Sequence, residues 1–444
     1  MEFQVLKQNH LKRNIIIGVV VVAIISAIVL NFTRAKYVYT DKMPLINGTV
    51  NYSLADLNIV AIYVGGVEVD SLDSSKQYTL DTEQSTCTYK DGSTIEGLNI
   101  SYETETGSLS ISPFTMKGTK CTLYFDEITG QTIQDILAGK TISTRSSFSS
   151  TLTTNTTGTI YQAQDDDGTT YYFAGAPTDN WVSFAGFYWR IIRINGDGSI
   201  RLIYSGDSES GPVTTGTDTQ IGTSVFNDTS DDNMYVGYMY QSNQVHGLVE
   251  DSTIKGVLDN WYKTNIQDAG YSSYIDTNAG FCGDRSPSTS NSESNGSGGT
   301  NNLTTFYGSF IRLNKNWDHS NASPSFKCSD KSNDLFTLFS SNKGNKKLTY
   351  SVGLITADEI VYAGGSIDST NYNYYLHTAE DYWTISPYIF NSNSSFILYC
   401  ISNGALDGFP ANEAYGIRPV INLRADTLFE AEGTGESSNP YVVI

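Results

Sequence analysis

Apolar positions follow three different rhythms along this chain. From Ile15 to Leu30 they form an uncharged run (IIIGVVVVAIISAIVL) preceded by Lys7, Lys12 and Arg13. With Asn14, Asn31 and Phe32 the run reaches the ~17 to 20 residues that a helix needs to cross a bilayer. This predicts a cytoplasmic tail over 1–13 and an uncleaved transmembrane anchor over 14–32. The rival reading is a cleaved signal peptide cut near Ile25-Ser26-Ala27 or Thr33-Arg34-Ala35, but the run exceeds a usual signal core of ~7 to 15 residues.

From Met43 to about Glu127 the rhythm becomes short alternating runs: GTVNYSL, LNIVAIYVGGVEV, QYTLDTEQSTCTY, LNISYETETGSLSISPF and TKCTLYFDE. Strands at this spacing, broken by Gly, Asp and Asn, predict a small β-sandwich over 43–127, read as a stalk because no polar side chains gather there. The third rhythm is mixed. TGQTIQDILAGKTIS at 129–143 reads as a short helix, and the Ser/Thr tract TRSSFSSTLTTNTTGT at 144–159 as a linker, so 128–159 divides the chain and a distal domain covers 160–444. In that domain Asn195-Gly196-Asp197-Gly198 lies between two apolar alternations and predicts a hairpin. STIKGVLDNWYKTNI at 252–266 predicts a helix capped by Ser252, with Ile254, Leu258, Trp261 and Tyr262 on one face. SPSTSNSESNGSGGTNN at 286–302 has nothing apolar to bury and reads as a surface loop. A helix starting at Ala357 and a buried closing strand, GIRPVINL, complete an α+β pattern.

Composition sharpens this picture. In 444 residues there are 30 Tyr and 39 Gly, a mix suited to strands and tight turns, and the net charge is -20. Such a chain repels a phosphate backbone, so nucleic acid is excluded as a partner. Basic residues around the apolar run do not fix its direction, because Arg34, Lys36 and Lys42 balance the three before it. The cysteines do: Cys87 with Cys121 and Cys282 with Cys328 fall pairwise into the two expected domains, as disulfides of an oxidising compartment would. Five unrelated free thiols are the alternative. The pairing places the protein in the cell membrane as a single-pass chain with its bulk outside; Cys400 is left over and is expected to be buried.

Catalytic and metal signals are weak. His10, His246, His319 and His377 are scattered without ligand spacing, and no nucleophile-elbow, phosphate-loop or dinucleotide motif occurs. Asp165-Asp166-Asp167-Gly168 and Asp228, Asp231, Asp232 read as acidic turns, with calcium the alternative, since neither has an EF-hand spacing. Neither metal, cofactor nor enzyme activity is expected. Asn-x-Ser/Thr sequons such as Asn47, Asn99, Asn155 and Asn302 are what so Asn- and Ser-rich a chain produces by chance.

In its order of YWRIIRINGDGSIRLIY, FCGDRS, LTYSVGLITADEI, YWTISP and YGIRPVINL, the stretch 160–426 resembles an uncharacterised bacterial surface-domain family. Its ending, a Trp-Thr segment, a variable stretch and an Arg-Pro-Val strand, is similar to C-type-lectin-like folds, which include formylglycine-generating-enzyme relatives and receptors diversified by retroelements. The resemblance implies that the distal α+β domain is C-type-lectin-like and that the stretch between Trp383-Thr384-Ile385-Ser386-Pro387 and Tyr415-Gly416-Ile417-Arg418-Pro419-Val420 meets a ligand. Tyr388, Phe390, Asn391, Asn393, Tyr399, Phe409 and Asn412 are the candidates it designates; aromatic and Asn side chains give large contact area and adaptable hydrogen bonds. The alternative is a hairpin whose alternate residues simply pack inward. Formylglycine-generating relatives need a cysteine pair near this end, and only Cys400 is present. The expected function is therefore a membrane-anchored receptor or adhesin for an extracellular protein or glycan, with a structural subunit of the cell envelope or a pilus-like assembly as the alternative.

Overall fold

The computed structural model describes residues 42–45, 48–51, 57–73, 76–104, 107–112, 119–288, 303–314, 317–339 and 343–444. Strand outweighs helix, 36% against 15%, in keeping with the expected sheet-rich α+β class. The apolar run at 15–30 and nearly all of the 286–302 loop lie outside the described residues. No helix among those described is long and apolar enough to cross a membrane. Two compact units divide the chain, 1–129 and 130–444.

The first unit is built from a four-stranded and a five-stranded sheet. Its central strand, Thr119–Ile128, shows why: Thr119, Cys121, Leu123 and Phe125 are buried while Lys120 and Asp126 are exposed, the period of two that lines one face of a sheet. Ile100, Leu109 and Ile111 of the other sheet join Ile62, Tyr78, Leu123 and Phe125 in a common core. Cys87 and Cys121 oppose each other on paired antiparallel strands and form the expected disulfide.

The second unit begins at Gly130, earlier than the expected 160. Gly130–Thr132 pairs with Leu428–Glu430 near the far end of the chain. The short helix Ile133–Ala138 follows, capped reciprocally by Thr132 and Asp135, and buries Ile133, Ile136 and Leu137 in the unit's main core. The Ser/Thr tract is no free linker. Leu152 donates its amide to the Gly364 carbonyl, Ala176 donates to Thr154, and the Arg145 guanidinium donates to the Val361 and Tyr362 carbonyls. Low apolar content misleads here because the segment is held through its backbone.

An eight-stranded sheet contains the predicted hairpin, Phe187–Ile194 with Ile200–Asp207, closed by Gly198 at φ +89°. Val420–Leu423 pairs with the second hairpin strand, so the closing strand is buried as its apolar run predicts. A six-stranded sheet joins Thr223–Val225, Ala414–Gly416, Tyr382–Phe390, Ser395–Cys400 and Leu406–Pro410 in that order, with Thr305–Phe306 beside Tyr382–Phe390. The helix Thr253–Tyr262 starts at Ser252, whose hydroxyl accepts the Lys255 amide, and buries Ile254, Leu258 and Tyr262. Fully buried Trp189 and Trp383 share one core spanning both sheets. Cys282 and Cys328 form the second disulfide, at the base of the segment that contains the 286–302 loop.

Candidate functional site

Two places in the second unit gather chemistry. The first is interior. Hairpin strands carry Arg193 and Arg201 inward, and the helix Ala357–Ala363 points Glu359 at them and Asp358 at Arg312; a capping box fixes its start, with Glu359 accepting the Thr356 amide. Arg193 Nε lies 3.1 Å from Glu359 Oε1, and Arg193 Nη1 lies 2.9 Å from Asp165 Oδ2. Arg201 Nε sits 2.6 Å from the same Glu359 oxygen, a close ion pair but not an aligned hydrogen bond. Arg312 forks onto both Asp358 oxygens at 2.8 Å and also reaches Asp284. Burial alone would raise the Glu359 carboxyl, but Arg201, Arg193 and the Thr356 amide hold it below the usual carboxylate range.

These groups line a cavity of about 70 Å³ together with the Cys282–Cys328 bridge, Ser309, Ser325 and Ser386. Of its charges, Arg193, Arg201, Asp165, Asp284, Asp358 and Glu359 already have opposite partners inside the protein. Asp165 is typical: one oxygen accepts the Asp167 and Gly168 amides, the other Gly196 and Arg193. The acidic turn thus spends its carboxylate on the fold, and among the described residues no three His, Cys, Asp or Glu converge as a metal group would. A paired network of this kind fixes which elements lie together. Sequence reasoning missed Arg193, Arg201, Arg312, Asp284 and Glu359; for all but Asp284, which lies past the end of the strand Phe281–Cys282, the one signal was a charge inside an otherwise apolar strand or helix.

The second place is the predicted 388–412 segment, whose seven candidates separate. Tyr388 and Phe390 face inward: the Tyr388 hydroxyl accepts from Asn314 Nδ2 at 2.9 Å, its ring packs on Phe310, and Phe390 is wholly buried. Gly408 lets Tyr388 in, since a methyl at 408 would run into that ring. These two are corrections to the expected ligand surface; a strand alternates faces, and composition does not say which face is covered. Asn391 is exposed, but its side-chain oxygen accepts the Asn393 and Ser394 amides and holds the hairpin tip. Asn393 and Asn412 are exposed at the same end of the sheet, where Ala411 donates to the Ser395 carbonyl.

Tyr399 and Phe409 fall on the opposite face from Tyr388 and meet a residue the prediction omitted, Tyr415. Tyr399 and Tyr415 stack at 4.6 Å, and Phe409 lies 5.7 Å from the first ring and 5.4 Å from the second. Trp383 supports them from below, 5.0 Å from Tyr415, with its indole N–H donating to the Ser224 carbonyl. Tyr399 is mostly covered, while Phe409 and Tyr415 are half-buried, so the cluster forms an aromatic ledge reached from solvent through the latter two. Its corner is the 411–414 turn carrying Asn412 and Glu413. Cys400 on the neighbouring position is buried, 3.3 Å from the Tyr374 hydroxyl.

Compared with protein-family models, curated proteins and solved structures, the chain matches none of them.

Proposed function

We propose that this chain is a membrane-anchored, extracellular ligand-binding protein whose second unit, C-type-lectin-like in the order of its motifs, presents the aromatic ledge and the adjoining Asn tip to a protein or glycan. The observation that carries this reading is the ledge itself: solvent-reachable Phe409 and Tyr415 on a sheet whose other side is packed, next to exposed Asn393 and Asn412. One disulfide in each unit supports an oxidising location. The apolar N-terminal run supports the anchor.

Screening the full-length protein in detergent against surface glycans and secreted proteins tests the reading. A hit should weaken about tenfold in Phe409→Ala/Tyr415→Ala, the loss expected when central aromatic anchors are truncated. Hits that survive this double variant unchanged would place the binding face elsewhere.

A further inference from the structure

Resting on the ligand-binding reading above, we propose that the ledge takes a cationic group, an arginine or lysine side chain from a basic segment of a partner protein. The first observation is a distribution of charge. No Lys or Arg occurs from 202 to 254 or from 348 to 417. Those stretches supply five strands of the six-stranded sheet, and the sixth, Thr305–Phe306, has none either. The sheet that builds the ledge is therefore free of basic side chains.

The second observation is what stands around the rings. Asp381, Asp407 and Glu413 all act on Tyr415, whose phenol is pushed up by burial and then by these three carboxylates. Asp381 Oδ1 accepts the Ser402 amide at 2.6 Å, and Asp407 Oδ1 accepts the Gly408 amide at 2.7 Å. Both carboxylates are thus held in place, and among the described residues neither they nor Glu413 meets a cation. Several acids elsewhere in this unit share a cation: Asp167 and Asp197 share Lys343, and Asp251 and Asp259 share Lys255. Among the described residues the three ledge acids share none.

Aromatic faces attract cations through the ring quadrupole, and a guanidinium can stack on a ring while forking onto a carboxylate. A neutral sugar would use the rings but has no need of three carboxylates, and an anionic ligand would be repelled. The net charge of -20 would also steer a basic partner inward at low salt.

Capped tetra-arginine and tetra-lysine peptides, titrated into the full-length protein in detergent, serve as probes. Asp381→Asn/Asp407→Asn/Glu413→Gln should weaken tetra-arginine binding about tenfold, and Phe409→Ala/Tyr415→Ala about fivefold. A remote triple, Glu430→Gln/Glu432→Gln/Glu436→Gln, removes as much charge from exposed positions and should change it less than about twofold. Melting curves confirm that each variant folds. Equal losses in both triples, or no tetra-arginine binding at about 50 mM salt, would overturn the cationic assignment. A neutral-glycan hit lost in the aromatic variant but kept in the ledge triple would also overturn it while leaving the ledge as the binding face. Indifference of every bound probe to Phe409→Ala/Tyr415→Ala would sink the ligand-binding reading itself.

Discussion

Behind the hairpin, buried Glu359 sits between two arginines, and the buried Asp165, Asp284 and Asp358 each meet an arginine. At the ledge three carboxylates act on the half-buried Tyr415 ring, and among the described residues none of them meets a cation. Both places depend on charge and aromatic side chains, yet only the first is closed. Several of the sequence motifs map onto the closed one. WRIIRI and IRLIY supply Arg193 and Arg201, FCGDRS supplies Asp284, and LITADEI supplies Asp358 and Glu359. Arg418 of YGIRPV is likewise buried, donating to the Tyr204 and Leu376 carbonyls. The charges of these motifs thus help hold the unit together, whereas of the ledge rings Tyr399 and Phe409 lie between YWTISP and YGIRPVINL and Trp383 and Tyr415 lie within them.

The largest effect should come from breaking the closed region. Glu359→Gln leaves Arg201 buried without its counter-ion and should cost roughly 3–5 kcal/mol, measured by denaturant unfolding. A cost under about 1 kcal/mol would mean that the network does not organise the unit. Reduction of Cys282–Cys328, or Cys282→Ser with Cys328→Ser, should cost on the order of 3–4 kcal/mol through the 46-residue separation it closes. Unfolding with and without reductant checks this.

A subtler contrast lies in pH. Glu359 and Asp284 titrate below the usual carboxylate range because, despite burial, Arg201 and Arg193 act on the first and Arg312 on the second. Their contribution to stability is complete above the unfolded-chain value of about 4 and is lost as pH falls through the lower folded-state values. Asp259 and Asp407, raised by burial, pull weakly the other way at higher pH. Denaturation midpoints should therefore fall between about pH 5 and 3, and fall less in Glu359→Gln. A midpoint that rises with acid would reverse the sign of the argument.

At the open region the same perturbations should barely register in stability. Asn393→Ala and Asn412→Ala should stay within about 0.5 kcal/mol of the parent, while changing binding of any ligand seated on the tip.

Sequence pattern made the sheet-rich class, the hairpin turn, the Ser252-capped helix and both disulfide pairs legible, because each follows from local periodicity or from cysteine placement. It failed where burial is a tertiary fact. An arginine such as Arg201 in a strand reads as the solvent side of an alternation until both faces prove covered. Tyr388 and Phe409 look alike in sequence and end on opposite faces. The 144–159 tract reads as a linker by composition, although Thr156 is buried and donates its hydroxyl to the Ala174 carbonyl. Tyr415 lies just past the segment bounded by resemblance, yet it completes the ledge.

Hydrogen exchange of the full-length protein with and without saturating tetra-arginine bears most directly on this division of labour. Protection gathered at 381–383 and 407–416, with amides around Arg193, Arg201 and Glu359 unchanged, is the predicted result. Protection centred on 280–286, 325–328 and 356–359 would show that the interior cavity receives the ligand, and would contradict the account.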